Sequence, residues 1–161
     1  PTQPAPAATG RPGTPLKYVA PEGWTQTGLG GARKANFVVQ KGQEKVEINV
    51  IDLDEEAGAL LMNVNRWRRQ IQLDEIADAQ LADTVTPIQV AGVDGHSVEL
   101  TGPDNAPRQR AILAVVALHN ERAWFFSMTG DAELAMQEKE RFQNLVKSVE
   151  FVKADGAENG D

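Results

Sequence analysis

Three sets of residues in this 161-residue sequence have types and spacings that could do chemistry: two histidines, four acids in a short run, and an Asn-Arg-Arg set. Histidine is the usual general base near neutral pH, and only His96 and His119 are present. Both fall at expected turns or strand starts in separate hairpins. His96 beside Ser97 makes no dyad, because neighbours on a strand point to opposite faces. No Gly-x-Ser-x-Gly elbow, Ser-x-x-Lys, His-Glu-x-x-His or DFG-type motif occurs. With no cysteine, thiolate catalysis, zinc–thiolate sites, iron–sulfur clusters and disulfides are excluded together. The acids Asp52, Asp54, Glu55 and Glu56 offer the hard oxygens a cation such as calcium takes, but not at the spacing of a binding loop. They are expected to favour a helix start instead. The reading is therefore not an enzyme, with no catalytic residue, no metal site and no cofactor.

The segment Asn63 to Gln70 carries more information. Asn63, Arg66 and Arg69 recur every third residue and are expected to share a helix face. Two guanidinium groups with an amide suit a carboxylate or phosphate in forked geometry, which makes these three the candidate binding residues. The competing reading pairs the arginines with the domain's own excess acids, in surface contacts worth about 0–1 kcal/mol each. Gly28, Gly30 and Gly31 mark a loop but match no phosphate-cradling pattern.

These residues need a scaffold. Residues 1–15 are rich in Pro, Ala, Gly and Thr and read as a disordered linker, and 154–161 as a disordered acidic tail. A single domain is expected over 16–153. Leu16 to Val19 reads as a short strand, and Pro21-Glu22-Gly23-Trp24 as a turn. Ala35, Phe37 and Val39 alternate, as do Val46, Ile48 and Val50 across Lys41-Gly42-Gln43, which is a hairpin signal. A helix is expected from Ala57 to Ile71, with Leu60, Leu61, Val64, Trp67 and Ile71 as its apolar stripe. A second is expected from Asp74 to Leu81, capped by Asp74. Pro87 makes Val85–Val90 an edge strand or strand start, and Gly92 to Gly95 a turn into Ser97–Thr101. The near-continuous apolar run Arg110 to Leu118 suits a central strand covered on both faces. Arg122–Met128 returns from it. Thr129-Gly130-Asp131 supplies cap chemistry for a helix to about Lys147, and Val149 to Val152 is a last strand.

Composition narrows the classes. A net charge of −7 argues against nucleic acid, which needs a basic face, and against anionic lipid surfaces. No apolar run spans a membrane. The chain opens at Pro1 without methionine, and the expectation is a mature segment that has lost a signal peptide or lipoprotein leader; a truncated sequence would open the same way.

The order of elements, with Pro-x-Gly-Trp early, a hairpin, helices, a meander through Trp124-Phe125-Phe126, a last helix and the ending Ser148-Val149-Glu150-Phe151, resembles the Mog1/PsbP-like fold. Asn63-Val64-Asn65-Arg66-Trp67-Arg68-Arg69-Gln70 and the Trp124-to-Phe151 end also resemble uncharacterised bacterial envelope proteins and lipoproteins. The resemblance implies an α+β domain, a twisted antiparallel sheet between helices (an α/β/α sandwich). It further implies a non-catalytic binding or accessory module, periplasmic or elsewhere in the cell envelope, whose partner is another envelope protein. The alternative is a small-ligand carrier with a pocket between sheet and helix and Arg66 or Arg69 as anion anchor. An enzyme without a familiar motif would need His96, His119, Asp52 and Glu55 to converge. The oligomeric state is left open.

Overall fold

Strict alternation makes the first hairpin of the computed structural model, which describes residues 16–28, 33–104 and 108–151. In Arg33–Lys41 (β3) the side chains of Ala35, Phe37 and Val39 point to one side. Val46, Ile48 and Val50 of Glu44–Asp54 (β4) join them, all buried. The connection needs only Gly42 and Gln43, with Gly42 at φ 60°, where a glycine is least strained.

The hairpin is part of one seven-stranded antiparallel sheet. Its strands are Thr25–Gln26 (β2), β3, β4, Val85–Val90 (β5), Val93–Thr101 (β6), Arg110–His119 (β7) and Arg122–Asp131 (β8). They lie in the order β2-β3-β4-β8-β7-β6-β5. Leu16–Lys17 (β1) pairs with Glu150–Phe151 (β9) in a separate two-stranded ribbon. The apolar run from Ala111 to Ala117 is buried throughout and lies between β8 and β6, as its sequence requires. Pro87 lies on the outermost strand, where its missing N–H leaves no ladder partner wanting.

Helices cover both faces, so the α+β sandwich expected from the sequence is the architecture found. On one side Ala132–Ser148 (α3) lays Leu134, Ala135, Phe142, Leu145 and Val146 over Leu113, Val115, Phe126 and Met128. On the other, Leu60–Gln70 (α1) lays Val64 and Trp67, with Ile71 just after, over Val98, Leu100, Ile112, Ala114 and Phe125. The α1 side is covered only in part. Ile51 and Leu53 pack into its core, whereas Asn36, Asn49 and Ser127 form a polar row across three strands, with Ser127 Oγ 3.2 Å from Asn49 Oδ1.

Several local expectations are corrected. The helix expected at Asp74 starts later: Asp78–Gln80 is a 3-10 turn leading into the short helix Leu81–Thr84 (α2), and Asp74 caps nothing. Its carbonyl is taken by Arg68 Nε, and Asn65 holds the chain two residues on, at Ile76. The first helix begins with a separate 3-10 turn, Glu55–Gly58, which packs on β7 and β8 at Leu118 and Ala123 before α1 proper starts. Asp52 and Asp54 do not serve the helix start. Both lie in β4, where Arg122 donates from Nε to Asp52 (3.0 Å) and from Nη1 to Asp54 (2.8 Å), and Lys34 Nζ lies 3.3 Å from Asp52. The turn before β6 is Ala91–Gly92 alone. Gly95 belongs to the strand, where a Cβ would sit 2.9 Å from the Val116 carbonyl oxygen.

Asp131 is the N-cap residue of α3 but its side chain makes no capping bond. Its carboxylate accepts from the Lys45 main-chain N–H (2.8 Å) and pairs with Arg108 Nε (2.8 Å), tying β8 to the start of β4. The proposed linker, the acidic tail, and Gly30, Gly31, Val152 and Lys153 lie outside the described residues.

Candidate binding surface

An α-helix advances about 100° per residue, so positions three apart drift by about 60° at each step. Over Asn63, Arg66 and Arg69 that drift carries the side chains from the buried edge of α1 to its open face. Asn63 is fully buried beside Val64. Its Nδ2 donates to the carbonyls of Ala57 (2.7 Å) and Ala59 (2.8 Å), which fastens the 3-10 turn to the helix it precedes. Arg66 and Arg69 are exposed. The structure therefore brings the two arginines together and turns the amide away from them.

Most of this segment serves the chain that leaves the helix. Arg69 pairs with Glu75, and Arg68 holds the Asp74 carbonyl. Asn65, outside the three-residue series of Asn63, Arg66 and Arg69, grips one residue at both ends: its Nδ2 donates to the Ile76 carbonyl (3.0 Å) and its Oδ1 accepts the Ile76 N–H (2.8 Å). That grip replaces the ladder partners which a strand would supply. An Asn65→Ala variant strands both Ile76 groups and is expected to lose about 1–3 kcal/mol in urea unfolding, with Ile76 packing loosened in the same melt.

Arg66 is the exception. Among the described residues it makes no ion pair. Its guanidinium lies 5.7 Å from the centre of the adjacent Trp67 ring, a cation–π distance. Burial first, and the like charge of Arg69 second, pull its pKa below the ordinary arginine value. One turn earlier, Met62 is 53% exposed. The outer face of α1 thus presents an apolar side chain, an unpaired cation and a second cation in line.

The other arrangements raised by the sequence do not come together. His96 alternates to the α1 side of the sheet, in register with Pro87 and Val116. His119 stacks on Phe151 at 4.1 Å on the α3 side. Asp52 is taken up by Lys34 and Arg122, and Glu55 is exposed in the 3-10 turn. No group of three or more His, Asp or Glu side chains among the described residues is placed to hold a metal ion. A crevice between the sheet and α3 measures about 50 Å³, is lined in part by the Lys139–Glu99 ion pair (2.7 Å), and lies on the opposite side of the sheet from Arg66. That is room for a water molecule rather than a drug-sized ligand. No helix among the described residues is long and apolar enough to cross a membrane.

No family model matches the sequence, and no curated protein matches it. Solved structures do. LpqN of Mycobacterium tuberculosis, described as involved in cell envelope biogenesis, superposes with a TM-score of 0.56 at 10% identity, covering 94% of this chain and 91% of its own. The Ran-binding protein Mog1p of Saccharomyces cerevisiae gives 0.52 at 13% identity, with 86% and 91% covered. Cyanobacterial PsbP from Synechocystis gives 0.50 at 13%, with 85% and 86% covered. A protein from Bacteroides thetaiotaomicron gives 0.54 at 12% identity over 91% of this chain, which spans half of that protein's length. At these identities the likeness speaks for architecture, and the architecture of this chain is the Mog1/PsbP-like fold.

Proposed function

We propose that this chain is a non-catalytic binding or accessory domain of the bacterial cell envelope, on the periplasmic side, which docks an acidic patch of another envelope protein against the outer face of α1. The observation that carries this reading is Arg66: an exposed guanidinium without a carboxylate, in a chain of net charge −7, seated on Trp67 beside the exposed Met62. Arginine and methionine are enriched at interface centres, and an uncommitted cation there selects an acidic partner. The fold adds support, since neighbours sharing it include a Ran-binding protein and a protein involved in envelope biogenesis.

Cross-linking capture from an envelope extract tests the proposal. Wild type is compared with Arg66→Ala/Arg69→Ala and with Arg66→Glu. A captured protein should fall at least about tenfold with the double variant and further with the charge reversal, the loss an interface arginine of hot-spot strength carries. Equal capture by all three would remove α1 as the docking face.

A further inference from the structure

At the end of the sheet away from the β7–β8 turn, two strands and a loop bring three cations together around an open cleft of about 370 Å³. Lys45 is the second residue of β4, Arg110 opens β7, Arg108 precedes it, and Thr129 lies near the end of β8. Lys45, Arg108 and Arg110 are exposed and Thr129 is half-buried. We propose that this cleft is a binding site for a small oxyanion, a carboxylate or phosphate group on a compact polar molecule.

The acids at the cleft define its charge. Asp131 is buried; its Oδ2 accepts the Lys45 N–H, and its Oδ1 forms an ion pair with Arg108 Nε (2.8 Å), which balances its charge at the cleft. Arg108 is held at a second point, its Nη2 donating to the Gln43 carbonyl at 2.8 Å. One N–H donates to that carbonyl and Nε stands in the ion pair with Asp131, which leaves the other three of its five N–H donors free. A guanidinium anchored in this way loses little freedom when it accepts a ligand, which favours binding. Arg110 has no ion pair or hydrogen bond from its side chain among the described residues, although its neighbour across the strands is Asp131. Lys45 Nζ sits 3.5 Å from Glu47 Oε2, a loose pair with both side chains about half exposed. Glu47 is the exposed carboxylate that an incoming anion must displace or tolerate, beside the buried Asp131 that Arg108 balances. The Thr129 hydroxyl adds a neutral donor on the lining. The volume exceeds what a bare ion fills and reaches the lower range of small-molecule sites.

The site is independent of the α1 face, and its test does not involve a protein partner. The full chain, isotope-labelled, is titrated separately with inorganic phosphate and with gluconate while the amide resonances of Lys45, Thr129, Gly130 and Arg110 are followed. Saturable shifts confined to this cluster with either probe are the expected result, and which probe binds distinguishes phosphate from carboxylate. Arg110→Gln, at an exposed position, should weaken binding about tenfold, the worth of one charge-assisted hydrogen bond. Glu47→Gln should tighten it severalfold, because it removes the competing carboxylate and frees Lys45. The wild-type spectrum elsewhere reports that each variant is folded. Absence of saturable shifts with both probes up to roughly 10 mM would overturn the proposal, as would Arg110→Gln and Glu47→Gln variants that bind like wild type.

Discussion

A Gly130→Ala variant is expected to lose about 3 kcal/mol or more of unfolding free energy, the upper end of what overpacking a closely packed site costs. A Cβ at this position would stand 2.2 Å from the Lys45 carbonyl oxygen and 2.7 Å from Val46 Cα. Both are main-chain atoms of β4, so neither can swing aside as a side-chain tip would. Relief requires β4 and β8 to separate at the Val46–Gly130 pair. The same movement would pull the Lys45 N–H from Asp131. Against a total stability of about 5–15 kcal/mol for a domain, a loss of about 3 kcal/mol is between roughly a fifth and three fifths of the whole. Urea unfolding followed by tryptophan fluorescence measures it. A midpoint indistinguishable from wild type would mean that this seam is not closely packed in solution.

Trp67→Ala carries the second large effect, about 3–5 kcal/mol for removing a buried aromatic. Trp67 is 5% exposed and is the largest side chain that α1 lays on the sheet, beside Val64 and Ile71. The loss should be regional. Native-state hydrogen exchange is expected to show α1 amides opening first, while those of β4, β7 and β8, packed also by α3, keep their protection. The substitution also removes the ring under Arg66 and should weaken partner capture even at temperatures where the variant remains folded. Uniform loss of protection over the whole sheet would show that α1 and the sheet open as a single unit.

What could be read from the sequence was what is encoded over a few residues. Alternation in β3 and β4, the apolar run of β7 and the proline of β5 each specify their own environment, so the hairpins, the central strand and the edge were legible. The side-chain contacts that fix the details were not. Arg122 meets Asp54 across 68 residues, and the Lys45 N–H meets Asp131 across 86. Four acids before a helix look like dipole complements until a strand register places two of them opposite an arginine. Asn65 reaches Ile76 only because the chain past α1 turns back, and no spacing rule announces that. The binding set Asn63, Arg66 and Arg69 was chosen by a three-residue interval that is shorter than a helical turn, and the accumulated rotation separates its first member from the others. Met62, four residues before Arg66, has the spacing that keeps a face.

The sheet order has a consequence for how the chain reaches this structure. Strands β2 to β4 form one meander and β5 to β8 another, each closed by neighbours in sequence, and the two meet only where β4 lies against β8. Each meander can form quickly from local contacts, but joining them must close a loop that contains α1 and three other strands, and the entropy of that closure is spent before the seam contributes anything. The joining step is thus the natural kinetic bottleneck, and until it occurs each half leaves a bare strand edge, β4 on one and β8 on the other, open to pairing with a second chain.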